Sequence, residues 1–562
     1  MSTASRSRRI TVVADELLGY VRTGGIGTAT TFLAVALGRM GHDLDILYVA
    51  DPPTEPLQPE WADLYRRAGV RIRQLDRSDR ETDPPFFARL RDVEQALAEE
   101  PPDVVIVQDL AALAYTALRQ RQLGRGFEQT LFVVYCHGTR RWITDMAGKV
   151  RVLPGAHAVS ILEQASIELA DVAVSPSAYL LDWMRGQRWQ LPVRTTVIRY
   201  LNRAAATGEP QPITANNDVR PPERLVFFGR LEERKGLRTF AAALDALPVE
   251  LKQRIEVEFL GRETPAWPRQ RVEALLADET RDALRRLTFS TSLDQREALE
   301  RLQSPATLAV MPSPADNAPN TVSECIEYGI PFVTTNAGGI PELVAHEDRA
   351  RVLFEPSADA LAAKLEEALM SERPWQPAQP AFAAAAAYDA WSKVVELEPT
   401  ALEPAERYET TLVGEADDDV LALLRSAQRA SGADVVTCGV RLESGVERYF
   451  LGDPGGLGAL RNHYGTTALV RSALLPENAA TMPRWQLLAR LSLEGAAIVS
   501  VTEALSDEQP VEDNAAALLV VEEFERHLPR SLRGLARLSA GLAAQATRAA
   551  PAKRRRRLFA RA

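Results

Sequence analysis

The strongest constraint on this chain is a pattern that occurs twice, in which short β-branched runs alternate with helical stretches. In the first two hundred residues the runs are ITVVA at Ile10, LDILYVA at Leu44, DVVIVQD at Asp103, LFVVYCH at Leu131 and VAVSPS at Val172. Apolar runs spaced by helical segments are the pattern of a parallel sheet covered on both faces. A second series follows: RLVFFGR at Arg224, IEVEFLG at Ile255, LTFSTS at Leu287, TLAVMPS at Thr307, PFVTTN at Pro331 and RVLFEP at Arg351. Between the two, Arg203 to Pro222 has no apolar period and is rich in Pro, Asn and Gly, which predicts an interdomain linker.

A Pro-rich stretch from Glu372 precedes a helical segment, Ala381 to Leu397, expected to pack back across the pair. After Pro399 the character changes, with an acidic triplet at Asp417, a strand-like ADVVTCGV at Ala433 and AAIVSV at Ala496. The expected organisation is an α/β fold: a Rossmann-like domain at 8–205, a second at 222–372, a linker and crossing helix at 373–398, a smaller α/β appendage at 400–528, and a basic tail at 529–562.

Composition narrows the function. The 562 residues carry 66 Lys and Arg against 76 Asp and Glu, a formal charge of −10, which argues against a general nucleic-acid binder. Three cysteines, Cys136, Cys325 and Cys438, stand far apart, so neither a disulfide framework nor a structural zinc site is suggested, and a reducing cytoplasm is expected. The apolar run from Ile10 stops at Asp15, too short for a signal-peptide core, and no stretch of membrane-spanning length lacks charge.

Four stretches can carry chemistry. Gly24, Gly25 and Gly27 lie between the first strand and an amphipathic segment, where glycines let a diphosphate approach a helix N-terminus; an ordinary turn reads the same way. Arg230 and Lys235, in GRLEERKG, follow a strand end and would together neutralise a diphosphate, while the alternative is a solvated charge run. Asp316 and Glu324, separated by seven residues, straddle an expected turn into a helix, with Asn320 and Thr321 between them. The first carboxylate is expected in the loop. Glu324 is expected in the first helical turn, where it would accept from a ribose or serve as the partner of Thr321 in a capping box. His137, in YCHG, ends a strand of the first series, where a lone histidine is more often structural.

The ordered set GGIG, GRLxxxKG, D-x7-E, Gly329-Ile-Pro331 and GGIPEL resembles glycosyltransferase family 4, retaining enzymes of GT-B architecture, over about residues 8 to 398. The family usually reads Glu-Gly-Phe-Gly where this chain reads Asp316-Asn-Ala-Pro, which keeps the carboxylate and shortens it. The resemblance implies two Rossmann-like domains facing across a cleft. It also implies transfer from a UDP- or GDP-sugar to an acceptor hydroxyl without a metal or other cofactor. Arg230 and Lys235 would lie on the donor diphosphate, Glu324 on the ribose, Asp316 on the sugar hydroxyls and His137 near the reacting sugar. Gly338 and Gly339 would keep the backbone close to the donor.

The segment after Pro399 is similar to the later half of a family 2, GT-A glycosyltransferase, which would make Asp417, Asp418 and Asp419 a vestigial metal motif. Too few residues precede the triplet to build a nucleotide site, and Arg484 stands before Trp485 where such enzymes often carry an acidic base. The appendage is therefore expected to be non-catalytic, the triplet marking an acidic helix start. For the KRRRR tail at Lys553, two readings stay open: a solvated tail, or peripheral contact with the inner face of a membrane carrying a lipid-linked acceptor. Two other functions also stay open, a non-catalytic sugar-nucleotide scaffold and an enzyme making a soluble glycoside.

Overall fold

In the computed structural model the described residues are 7–507 apart from 21–23, 52–55, 149–153, 210–219, 403–404, 455–457 and 459–460, together with 519–521. The basic tail lies outside them.

The first series folds into a seven-stranded parallel sheet. Its strands run, edge to edge, Val70–Gln74, Asp43–Tyr48, Arg9–Ala14, Val104–Gln108, Leu131–Tyr135, Val172–Ser175 and Arg194–Val197. The central strands are buried along their whole length, as expected for β-branched runs covered on both faces. One apolar layer is built around helix Gly25–Arg39, the other around Leu97, Leu118 and Trp142. The second series forms a parallel sheet in the order Arg286–Ser290, Glu256–Leu260, Arg224–Phe228, Thr307–Met311, Phe332–Thr335, Leu353–Phe354. In both sheets the strand order reverses beside the first strand. The crevice beyond the strand ends at such a switch point is where α/β sheets bind ligands.

The expected linker is ordered at its start. Helix Arg203–Thr207 is capped by the Asn202 side chain and closed by Gly208 at φ +67, and Arg39 donates to Ala206 O at 2.9 Å, tying the helix to the first domain. The segment expected to cross back forms helix Ala384–Val395, whose Trp391 is fully buried in the first domain's core, while Trp375, just upstream, is buried in the second.

The appendage has a mixed sheet, Thr410–Val413, Ala468–Arg471, Val435–Arg441 and Glu447–Arg448, with Ile498–Ser506 parallel to Val435–Arg441. Its edge is completed by two residues of the first domain, Thr82–Asp83, paired with Glu447–Arg448. The join is polar and apolar at once. Asp83 accepts from Arg448 at 2.8 Å and from Arg461, Arg125 clamps Glu503 at 2.7 and 2.9 Å, and Phe87 stacks on Tyr449 at 5.0 Å. The appendage is thus built onto the first domain rather than following it as a separate body.

Candidate active site

The switch points of the two parallel sheets face each other, and hydrogen bonds cross the seam. Helix Gly25–Arg39 begins there. Its N-cap is Gly24, and among the described residues no side chain caps it, so the first-turn N–H groups are placed to meet an acceptor. A Cβ at Gly24 would come 2.9 Å from Nη2 of Arg230 in the other domain, so a side chain on this turn would push that guanidinium aside. Asn320 Nδ2 donates to Gly25 O at 3.3 Å, and Gly27 is buried in the same turn. Arg230, at the end of strand Arg224–Phe228, is exposed.

Lys235 sits on the short turn Glu233–Lys235, closed by Gly236 at φ +83. A Cβ at Gly236 would lie 1.9 Å from Pro312 O, so this turn is pressed against the loop that carries Asp316. Lys235 Nζ donates to Asp316 Oδ2 at 2.6 Å and Arg234 Nη1 approaches the same oxygen at 3.3 Å. Burial pushes the Asp316 carboxyl up, but the charges of Lys235 and Arg234 and the hydrogen bonds from Lys235 and Asn317 N outweigh it, and the group stays below the usual carboxylate range. Asp316, the residue expected on sugar hydroxyls, is clasped by two cations. Arg234 was missed because, in sequence, it is one charge in a run.

Gly338 and Gly339 face the same loop. Their Cβ atoms would lie 2.1 Å from Asp316 O and 1.9 Å from Asn317 O, and Gly339 N donates to Asp316 O at 2.9 Å. What these glycines allow in this structure is close approach of two backbones, the NAGG turn and the Asp316–Asn317 loop.

His137 comes from the end of strand Leu131–Tyr135, and its backbone is fixed from below. Its N–H and that of Gly138 donate to the fully buried Asp109 carboxylate at 3.0 and 2.9 Å. Its carbonyl accepts from Asn317 Nδ2 at 3.1 Å, and Asn317 also meets the Ser177 hydroxyl, so the Asp316 loop is fastened to the first domain beside His137. Nδ1 of His137 is 2.8 Å from the Tyr200 hydroxyl, while Nε2 is buried with no partner among the described residues. Burial pulls the imidazole down to about 3, so the ring is neutral. A second fastening is Glu342 of GGIPEL, which accepts from Ala178 N and Tyr179 N at 2.9 Å each and from Arg199 at 2.8 Å. A carboxylate at the start of helix Ala178–Gly186 complements that helix's dipole.

Helix Asn320–Glu327 begins after Pro319 and makes no side-chain cap. Asn320 and Thr321 occupy its first turn. Glu324 therefore stands in the second turn, not the first, and the Thr321–Glu324 capping box is not formed. Its carboxylate is instead met by Gln295 Nε2, and burial pushes it up to about 7 against that hydrogen bond. One turn on, burial and the neighbouring Glu324 raise Glu327 to about 8.

Asp417 is the N-cap of helix Asp418–Ser431, accepting from Val420 N at 2.8 Å, with Asp418 and Asp419 in the first turn. The triplet is a helix start. Among the described residues no group of three or more His, Cys, Asp or Glu side chains is placed to hold a metal ion, and no helix is long and apolar enough to cross a membrane.

Two family matches lie in tandem on this framework. Residues 23–199 match the family described as Glycosyltransferase Family 4, and residues 214–386 match Glycosyl transferases group 1. Among solved structures the chain is similar to sucrose-phosphate synthase from Thermosynechococcus elongatus, at 17% identity over 69% of this chain and 96% of that one, with a TM-score of 0.47. It is also similar to WaaG, a glycosyltransferase involved in lipopolysaccharide biosynthesis, at 16% over 69% and 94%, with a TM-score of 0.46. Anabaena HepE in complex with UDP matches at 16% over 68% and 94%, with a TM-score of 0.45. No curated protein matches the chain. The family matches end before the appendage, and its likeness to a GT-A enzyme finds no counterpart among them.

Proposed function

From a chain that carries a Family 4 and a group 1 glycosyltransferase domain in tandem, we propose a retaining glycosyltransferase. It moves a sugar from a nucleoside diphosphate to an acceptor hydroxyl in the assembly of a cell-surface polysaccharide or other glycoconjugate. The observation that carries the reading is the meeting, at one seam, of an uncapped helix N-terminus with Arg230, Arg234 and Lys235. A lysine ammonium has three N–H donors, and Asp316 takes one at 2.6 Å, which leaves two for phosphate oxygens. In the transfer the anomeric C–O bond to the diphosphate breaks and one to the acceptor oxygen forms on the same face. The acceptor proton passes to the departing diphosphate, whose charge Lys235 and Arg230 stabilise by position rather than by covalent chemistry. Glu324 holds the ribose. The seam between the domains keeps water from the donor. The enzyme works in the cytoplasm on a lipid-linked or soluble sugar acceptor.

A thermal-shift panel with UDP, GDP, ADP and their sugar conjugates tests this, because a ligand of the native state raises its melting temperature. Stabilisation by one nucleotide, lost in Lys235→Ala and Glu324→Ala, is the expected result, with donor hydrolysis that Arg230→Ala abolishes. A nucleotide that binds without any turnover would leave a scaffold, and no stabilisation by any nucleotide would overturn the donor site itself.

A further inference from the structure

Two consecutive alanines, Ala111 and Ala112, take φ +67 and +52, in the left-handed region where the Cβ of an L residue crowds the following carbonyl. They belong to the turn Leu110–Ala112, which leaves strand Val104–Gln108 through Asp109. Such a backbone persists only where its surroundings over-determine it. Two sets of contacts do so here. The fully buried Glu163 accepts from Ala111 N at 2.9 Å and from Arg140 N at 2.7 Å. An apolar cluster encloses Ala112, and two of its eight buried side chains, Tyr449 and Leu451, come from the appendage. Tyr449 stacks on Phe87 at 5.0 Å, and its N–H donates to Asp83 O at 2.9 Å, where the appendage's edge joins the first domain. Leu451 N donates to His463 O at 3.0 Å, so the place of both side chains is set by the join and by the appendage's own backbone.

The turn bears on the candidate site through Asp109, which starts it. The Asp109 carboxylate takes the N–H of His137 and that of Gly138, and the His137 carbonyl takes the amide of Asn317. The loop that carries Asp316 therefore hangs from the same piece of backbone.

We propose that the appendage is a strut for the candidate active site, with Tyr449 and Leu451 as its positioning residues. They complete the cluster that holds the Ala111–Ala112 turn left-handed and, through Asp109, fix the backbone of His137 and Gly138 at the seam. The effect on transfer rests on the glycosyltransferase reading above, while the effect on the backbone does not. The appendage lies beyond both family matches, and its acidic triplet is a helix start. What the structure gives it is contact with the first domain's half of the site. A cavity at Leu451 would loosen the packing on Ala112 and leave the strained turn to the Glu163 hydrogen bond, so the turn and the carboxylate at its start would drift together.

The test is Leu451→Ala in the full-length chain, read by amide hydrogen exchange and by turnover of the sugar nucleotide accepted in the UDP, GDP and ADP series. The amides of His137 and Gly138 should exchange roughly tenfold faster, while those of the appendage's own strand Val435–Arg441 stay protected. kcat should fall by about tenfold to a hundredfold, the effect of a small displacement at the reacting centre. Nucleoside-diphosphate affinity should stay within about twofold, because Lys235 and Glu324 lie in the other domain. A rescue separates positioning from simple loss of stability. Glycine takes a left-handed φ without steric cost, so adding Ala111→Gly and Ala112→Gly to Leu451→Ala should return most of the lost kcat and slow exchange at His137 and Gly138, while the melting temperature stays low. If Leu451→Ala does not fold, Leu451→Val, which leaves a smaller cavity, carries the same series. Unchanged exchange at His137 and Gly138, or a loss of kcat that the glycines do not return, would overturn the proposal. If no sugar nucleotide is turned over while exchange at the two amides responds as expected, the strut stands and the glycosyltransferase reading fails.

Discussion

Gly338 takes φ +62, in the left-handed region, and faces a carbonyl 2.1 Å from where its Cβ would stand. Both facts oppose any side chain, so Gly338→Ala should destabilise the fold by about 2 kcal/mol or more and displace the loop that carries Asp316. Urea unfolding and nucleotide affinity measured together check this, and a variant of wild-type stability would refute it. The same residue shows what the sequence makes legible. NAGGIPEL marks a place where two backbones come close, but not which two, because the partner loop is brought in by the sheet order and not by the local chain. Lys235 was readable from its place after a strand. Arg234 was not, since only the fold shows that it turns toward Asp316. Tyr200 gives no signal at all, being 63 residues from the histidine it touches.

At the scale of elements, periodicity and caps were legible wherever the determinant is local. Asp417 lies just before an amphipathic run, and its carboxylate caps it, so Asp417→Ala should cost the appendage about 1 kcal/mol in thermal unfolding. No loss there would mean that the triplet has another role. Thr321 and Glu324 satisfy the same kind of rule and yet form no capping box, because the helix starts earlier, at Asn320 after Pro319, and this moves Glu324 two residues further in, into the second turn. Strand Thr82–Asp83 is too short for any pattern, and its pairing partner lies more than three hundred residues away. Burial raises the Asp83 carboxyl, and the hydrogen bonds and charges of Arg461 and Arg448 bring it below its usual range. Asp83→Ala removes the acceptor both arginines use, and an expected loss of about 1–3 kcal/mol should appear as faster limited proteolysis between the first domain and the appendage.

On the whole-molecule scale, both parallel sheets were readable because each strand's burial is written in its own residues, whereas the fastenings across the seam are tertiary. Glu163, buried within the first domain where it accepts from Ala111 N and Arg140 N, and the site carboxyls Glu324 and Glu327 together set a pH dependence. Burial raises Glu163 to about 7, and likewise Glu324 to about 7 and Glu327 to about 8, against an ordinary value of 4.5. Each of these groups holds a proton in the native chain over a range where the unfolded chain has lost it. The stability it contributes is full below about pH 4.5 and lost as pH rises through the native value. His137 and His463 act the other way, burial pulling them to about 3 and about 4, but only below 6.5, where the unfolded imidazoles take up protons. Between about pH 6.5 and 8.5 the glutamates decide, and stability should fall with rising pH by on the order of 1 kcal/mol after solvent screening of the two partly exposed ones. Melting temperatures across that range should decline by a few degrees, and the slope should flatten in the combined variant Glu324→Gln, Glu327→Gln. A melting temperature that climbs with pH, or a slope the variant leaves unchanged, would show that these carboxyls are already ionised in the native chain.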